Sequence, residues 1–155
     1  MTTSAASRDF SEEIRIDADR DRVWAVLSDP ATMPEASPEL FAVTRRHGPF
    51  KVGERFVGWN RRGAVVWPTV NRVLSVDPGR ELSWLTKTSG AVWTYTLTED
   101  DGATILRETR QMPSGAPRFA TMFGDALLGG MANHADELET HVSATLAWIK
   151  ARTES

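Results

Sequence analysis

A chain of 155 residues, 41% of them hydrophobic and with a formal charge of −3, has the length and composition of one globular domain. The charge balance argues against the clustered basic surface that nucleic-acid binding requires. Because the chain has no cysteine, a disulfide scaffold, a thiolate zinc site, an iron–sulfur cluster and a cysteine nucleophile are excluded as well.

Both ends of the chain are polar, and no segment is apolar enough to cross a membrane. Residues 1–8 lack the apolar region of a secretory signal, so we expect a disordered N-terminal tail there. Residues 150–155 are also polar and are expected to fray. No stretch approaches the ~18 uninterrupted apolar residues of a membrane helix. These features predict a cytoplasmic protein with a single domain over residues 9–150.

The first elements are a strand and two short helical segments. Apolar residues alternate with charged ones over residues 9–16, which predicts a strand. Asp19 is a candidate N-cap for a short amphipathic helix that Pro30 stops. Residues 31–38 contain two further prolines and can form at most a turn or two of helix.

Six further strands follow, because the apolar period changes to two from Leu40 onward. Short turn sequences separate them, so the sheet should be antiparallel. Since Pro68 cannot donate to a strand ladder, we expect a bulge or an edge at that position. The predicted strands cover residues 40–46, 55–62, 65–76, 81–87, 92–98 and 103–112.

After Pro117 the apolar period returns to 3.6, which predicts one long amphipathic helix over residues 117–149. We expect this helix to pack across a curved sheet and to leave a cavity where the two separate. The apolar stripe consists of Phe119, Phe123, Leu127, Gly130, His134, Leu138, Val142, Leu146 and Ile149.

This order of elements resembles the START-like polyketide cyclase/dehydrase superfamily (SRPBCC, helix-grip fold). The resemblance implies an α+β helix-grip fold: a curved antiparallel sheet of about seven strands wrapped on a long C-terminal helix, with two short helices after the first strand. Members of the family share no catalytic motif; they bind hydrophobic small molecules, and some turn them over. The resemblance spans about residues 10–149 and is carried by residues 18–30 (including VWAVLSDP), GERF at 53–56, GWNR at 58–61, Trp67, Val73, Asp77-Pro78, WTYTL at 93–97, GAT at 102–104, Leu106 and Glu108.

Two polar residues are candidates for acid–base chemistry. His134 lies on the apolar stripe and is either a core histidine satisfied by a carbonyl or a water, or a group that faces a pocket. Glu108 shares its strand face with Leu106, so it points inward if Leu106 does; if Ile105 points inward instead, Glu108 faces water. The candidate partners of Glu108 are Arg110, Asn60 or His134, or Arg107 if the parity of the strand is reversed. A second histidine, His141, lies at the edge of the stripe and is expected in solvent.

The aromatic residues of the strands are the candidates for a cavity wall. Trp93 and Tyr95 share a face with Trp84 and Trp67 on neighbouring strands, and they form either plain core or cavity lining. A buried Tyr95 hydroxyl would need a partner, and Asn60 is either a polar cavity group or solvent-facing. The predicted ligand-binding residues are Phe56, Asn60, Trp67, Trp84, Trp93, Tyr95, Leu106, Glu108, Phe123, Leu127 and His134.

The predicted function is binding of a hydrophobic small molecule, whether lipid, polyketide-like or aromatic, between sheet and C-terminal helix. The alternative is a polyketide cyclase, aromatase or dehydratase that uses the same cavity, with His134 and Glu108 as the acid–base pair. A third interpretation is an interaction protein with a vestigial cavity. We expect a monomer or homodimer without metal, cofactor, nucleic acid or membrane span.

Overall fold

The computed structural model describes residues 9–113 and 131–155, and of residues 131–138 it describes the backbone only. The predicted tail at residues 1–8 lies outside the described residues. So do residues 117–130 of the predicted long helix, with Phe123 and Leu127 among them.

The described residues form an α+β structure in which one antiparallel sheet is combined with short helices and a long C-terminal helix, as predicted. The elements are β1 (Phe10–Ile16), α1 (Arg20–Leu27), α2 (Thr32–Ala36), β2 (Leu40–Thr44), β3 (Arg55–Arg62), β4 (Val65–Asp77), β5 (Glu81–Thr86), β6 (Ala91–Asp100), β7 (Ala103–Gln111) and α3 (Met131–Glu154).

The sheet has seven strands in the order β1-β7-β6-β5-β4-β3-β2, and every neighbouring pair is antiparallel. From β2 to β7 each strand pairs with the next one along the chain, as short turns require. The exception is β1, which pairs with β7, so that β1 and β2 lie at opposite edges. The segment with α1 and α2 therefore connects the two edges of the sheet, and both helices contact α3.

Local signals set the bounds of α1. The Asp19 carboxylate accepts a hydrogen bond of 2.9 Å from the backbone N–H of Arg22, which confirms the predicted N-cap. The helix ends at Leu27, and the backbone N–H of Ser28 donates to the carbonyl of Trp24. Val23 and Leu27 are fully buried, so α1 contributes to the core with one face.

The edge predicted at Pro68 is present, and the bulge lies elsewhere in the same strand. Pro68 pairs with Trp59 of β3, whereas the pairing of β4 with β5 begins only at Asn71. The missing N–H of Pro68 therefore falls where β4 extends past β5. The register shift lies between Val73 and Ser75, and a shift of this kind bends the strand.

The hydrophobic core lies under the C-terminal half of α3. Val142, Leu146 and Ile149 of α3 pack with buried side chains of α1, β1, β5, β6 and β7, among them Leu27, Ile16, Leu82, Leu97 and Leu106. The described part of the apolar stripe is therefore buried as predicted. Because this core lies toward β1 and β7, the strands near the other edge of the sheet face a separate space.

The C-terminal residues do not fray as expected, because α3 continues to Glu154. Thr153 is 1% exposed, and the carboxylate of Glu154 accepts a hydrogen bond of 2.8 Å from the backbone N–H of Asp17. Lys150 donates to the carbonyl of Arg15 at 2.8 Å. These contacts hold the polar end of α3 against the backbone at the end of β1. Because they are made by polar side chains, the apolar periodicity of the sequence does not predict them. Within the described ranges, no helix combines the length and the apolar character needed to span a membrane.

Candidate ligand cavity

A cavity of about 240 Å³ lies between the helix-covered face of the sheet and the helices α2 and α3. Its lining is mainly apolar and aromatic. The apolar lining residues are Met33, Leu40, Phe50, Phe56, Trp67, Leu82, Trp84, Ala91, Trp93, Tyr95, Met112 and Val142.

Strand alternation brings the aromatic side chains onto one wall. Trp84 of β5 lies directly opposite Trp93 of β6, and Tyr95 lies two residues beyond Trp93 on the same face. The ring centroids of Trp84 and Tyr95 are 5.7 Å apart, and those of Phe56 and Trp84 are 6.2 Å apart in an edge-to-face arrangement. These spacings are those of interacting aromatic pairs, so the wall is continuous from β3 to β6.

A buried ion pair in the segment between β2 and β3 extends this wall with Phe50. Arg45 Nη2 lies 2.9 Å from Glu54 Oε1, and both side chains are almost completely buried. The guanidinium of Arg45 also lies 4.4 Å from the centre of the Phe50 ring. The Phe50 ring is in turn 6.0 Å from that of Phe56. The ion pair and the cation–π contact therefore hold Phe50 against the cavity.

A row of polar side chains lines the β3–β5 side of the cavity. Thr86 donates a hydrogen bond of 2.7 Å to Oδ1 of buried Asn71. The amide nitrogen of Asn71 donates to the carbonyl of Thr69 at 3.2 Å. The amide nitrogen of Asn60 is held more loosely, at 3.4 Å from the carbonyls of Gly58 and Trp67. Asn60 is therefore a polar cavity group rather than a solvent-facing residue.

A buried tyrosine–glutamate pair lies on the β6–β7 side of the cavity. Glu108 and Leu106 are both buried, so the inward alternative for this strand is correct. The strand register places Glu108 directly opposite Tyr95. The Tyr95 hydroxyl donates a hydrogen bond of 2.8 Å to Glu108 Oε1. This partner was not among those considered from the sequence, because only the pairing of β6 with β7 determines it.

The environment of the pair raises both pKa values. Burial raises the pKa of Glu108 to about 8, and the charge of Glu12 on the neighbouring strand adds to the rise, whereas the Tyr95 hydrogen bond opposes it. Burial is also the main cause that raises the pKa of Tyr95 well above its usual value, and Glu108 adds to it. Near neutral pH, Glu108 is therefore largely protonated and Tyr95 keeps its proton.

Three further charged or titratable residues line the cavity: Glu39, Arg110 and His141. Arg110 is 3% exposed and lies two residues beyond Glu108 on the same face of β7. His141 is half-buried on the cavity wall instead of lying in solvent. The face of α3 toward the cavity is wider than the apolar stripe, because His141 lies one turn before Thr145, which also lines the cavity.

The predicted site residues divide into three groups. Phe56, Asn60, Trp67, Trp84, Trp93, Tyr95 and Glu108 all line the cavity. Leu106 lies in the hydrophobic core instead. The side chain of His134 lies outside the described residues, as do Phe123 and Leu127.

Sequence reasoning missed several lining residues. Thr69 and Asn71 lie two and four residues after Trp67 on the same face of β4, so strand parity alone could have added them to the list. Phe50 and Met33 lie outside the strands, and no periodicity marks them.

Comparison with known proteins agrees with this architecture. The family model described as polyketide cyclase/dehydrase and lipid transport matches residues 7–143. No curated protein matches the chain significantly.

Three of the solved structures with the same fold are polyketide-cyclase-like or ARO/CYC proteins. A polyketide-cyclase-like protein of Corynebacterium glutamicum is 22% identical, with a TM-score of 0.62 over 99% of this chain and 94% of that one. The di-domain ARO/CYC StfQ of the steffimycin biosynthetic pathway is 15% identical, with a TM-score of 0.72 over 94% of this chain and 50% of that one. The di-domain ARO/CYC BexL of the BE-7585A biosynthetic pathway is 19% identical, with a TM-score of 0.66 over 97% of this chain and 51% of that one. At these identities the likeness establishes a shared fold.

Proposed function

The chain belongs to the polyketide cyclase/dehydrase and lipid transport family, and from this membership and the geometry of the cavity we propose that it binds a hydrophobic small molecule between the sheet and α3. Family membership supports either hydrophobic-ligand binding or a polyketide cyclase role. We favour binding, with an aromatic or polyketide-like molecule as the ligand class.

The observation that carries the proposal is the continuous aromatic wall. Phe50, Phe56, Trp84 and Tyr95 form a chain of ring contacts along a cavity of about 240 Å³. Flat aromatic ligands stack well on such a wall, and burial of their apolar surface is the main source of affinity. The few polar groups in the lining would orient the ligand, as is typical of small-molecule pockets.

The intrinsic tryptophan emission tests the proposal. Titration with fatty acids, flavonoids and polycyclic aromatic compounds is expected to quench this emission saturably for at least one class. A Trp84→Phe variant should lose much of the quenching because Trp84 lines the cavity. A Trp59→Phe variant should keep it, since Trp59 lies on the opposite face and is 36% exposed. Absence of quenching by every compound would contradict the binding function.

The second candidate function is a cyclase, aromatase or dehydratase. The specific observation in its favour is Glu108, a cavity carboxyl whose pKa is raised to about 8 and which could act as a general acid near neutral pH. His141 faces the same cavity. The predicted partner His134 remains a proposal, because its side chain lies outside the described residues.

Mass spectrometry of a bound probe separates the two functions. The purified protein is incubated with an aromatic β-hydroxy ketone, and the products are analysed for loss of water. Recovery of the unchanged ketone from a saturated cavity supports binding alone. Water loss that Glu108→Gln abolishes, while the same variant still binds the ketone, would establish the enzyme instead.

A further inference from the structure

We propose that Glu108 is a hydrogen-bond donor that selects ligands with a neutral acceptor oxygen, such as a ketone, at the β6–β7 side of the cavity. This inference rests on the proposed binding function and adds a chemical requirement for the ligand. It predicts that a carbonyl group, and not apolar shape alone, determines which aromatic molecules bind tightly.

The two carboxyl oxygens of Glu108 have different surroundings. Oε1 accepts the hydrogen bond of the Tyr95 hydroxyl at 2.8 Å. Oε2 is buried and has no hydrogen-bond partner among the described residues. Glu108 is 5% exposed and lines the cavity. A buried polar atom without a partner is costly, and the cavity is the space from which a ligand could supply that partner.

The chemistry of the pair determines which oxygen carries the proton. The pKa of Glu108 is raised to about 8, so the carboxyl is mainly neutral at pH 7. The pKa of Tyr95 is raised as well, so its hydroxyl stays protonated and donates to Oε1. With the Tyr95 hydroxyl donating to Oε1, the proton of the neutral carboxyl is placed on Oε2, the buried oxygen without a partner, which can then donate to an acceptor.

The charged and titratable groups around Glu108 come from several elements. Tyr95 faces it from β6 and Glu12 lies opposite it on β1. Arg110 lies on its own strand, and His141 of α3 and Glu39 before β2 line the same cavity. The charge of Glu12 favours the neutral form of Glu108. The hydroxyl of Ser143 on α3 donates to the carboxylate of Glu12, so that charge is held near the pair.

Two probes of nearly identical shape test the donor. In 2-acetylnaphthalene a ketone oxygen can accept a hydrogen bond, whereas 2-isopropenylnaphthalene carries a CH₂ group in the same place. At about pH 6, where Glu108 is neutral, we expect the ketone to bind roughly tenfold more tightly than 2-isopropenylnaphthalene. Quenching of tryptophan emission measures both affinities. Above about pH 9 the donor is lost and this preference should disappear.

Two substitutions at position 108 complete the experiment. In Glu108→Gln the amide can accept from Tyr95 and donate to the ligand, so the preference for the ketone should persist at every pH. In Glu108→Met the donor is absent, so the preference should be lost at every pH. If the methionine variant does not fold, the pH dependence of the parent against the glutamine variant decides the question alone.

The outcomes separate this inference from the proposed function. Saturable binding of both probes with equal affinity in the parent at about pH 6 would overturn the donor role and leave the binding function intact. A preference for the ketone with the same pH profile in Glu108→Gln would also overturn it, because another group would then be responsible. If neither probe quenches the emission, the binding function fails and this inference fails with it.

Discussion

Among the carboxyl groups of the described residues, that of Glu108 has the most unusual surroundings. Its folded-state pKa of about 8 lies above the usual value of 4.5. Between these two values the folded protein binds more protons than the unfolded chain, so stability falls as pH rises. The contribution of the neutral carboxyl is fully present below pH 4.5 and is lost as pH rises through 8.

The first prediction concerns this loss. Glu108→Gln has no charge to bury, so its melting temperature should exceed that of the parent at about pH 9 by on the order of 5 °C. The difference should shrink as pH falls toward 5, where the parent carboxyl is neutral too. Thermal unfolding followed by circular dichroism over this range measures it, with Glu99→Gln at an exposed position as the control. Parallel curves for parent and Glu108→Gln would show that the carboxyl is not buried as described.

A second prediction concerns Gly58, where two strands and the cavity wall approach closely. A Cβ atom at this position would lie 2.8 Å from Thr69 Oγ1 and 3.0 Å from Leu40 Cδ1. Gly58→Ala should therefore destabilise the protein by about 1–3 kcal/mol. In a Thr69→Ala background the nearer contact is gone, so the same substitution should cost less. Urea unfolding of the parent, the two single variants and the double variant gives the coupling, and additive effects would contradict the steric explanation.

At the scale of elements, α3 has two roles along its length. His141, Val142 and Thr145 line the cavity, and Thr145 also donates to the carbonyl of Ala36 in α2. Further along, Leu146 and Ile149 lie in the core and are 1% exposed or less. The helix is thus anchored at its C-terminal half, and the preceding turn forms one wall of the ligand space.

The third prediction tests this anchoring. Leu146→Ala should lower the free energy of unfolding by about 2–5 kcal/mol, because it removes a fully buried side chain from the core. The matched control is Leu74→Ala on β4, where the side chain is 42% exposed and the cost should stay within about 0.5 kcal/mol. Urea denaturation measures both. Equal losses for the two leucines would contradict the assignment of the core to α3.

At the scale of the whole molecule, the sheet serves a core and a cavity side by side. Leu82, Leu97 and Leu106 of β5–β7 pack in the core under α1 and α3. Phe56, Trp67 and Trp84 of β3–β5 face the cavity. A ligand that fills the cavity would add apolar burial to the folded state alone.

The fourth prediction follows from this division. A ligand that binds only the folded state should raise its stability by about 2.7 kcal/mol at a hundredfold excess over Kd. For a chain of this size the melting temperature should then rise by roughly 5–10 °C. Thermal scans with increasing 2-acetylnaphthalene measure the rise, and the protein without the probe, in the same solvent, is the control. Saturable quenching without any rise would place the bound probe outside the folded cavity.

The amino-acid sequence by itself determined the local parts of the fold. The observed bounds of β3, Arg55–Arg62, are those that alternation predicts, and Asp19 caps α1 as its side-chain chemistry requires. The short turns between strands made the sheet antiparallel. These features depend on residues close together in the chain, so their causes are visible in the sequence.

Only the tertiary structure decided how those parts meet in the site. Tyr95 becomes the partner of Glu108 through the register of β6 with β7, and the ion pair of Arg45 with Glu54 brings Phe50 to the cavity. His141 reaches the cavity wall because of the position of α3 over the sheet. Periodicity assigns a side chain to a face of its own element, but register and the spacing between elements arise from contacts between distant segments. The protonation of Glu108 depends on both, because burial in the assembled fold is what raises its pKa.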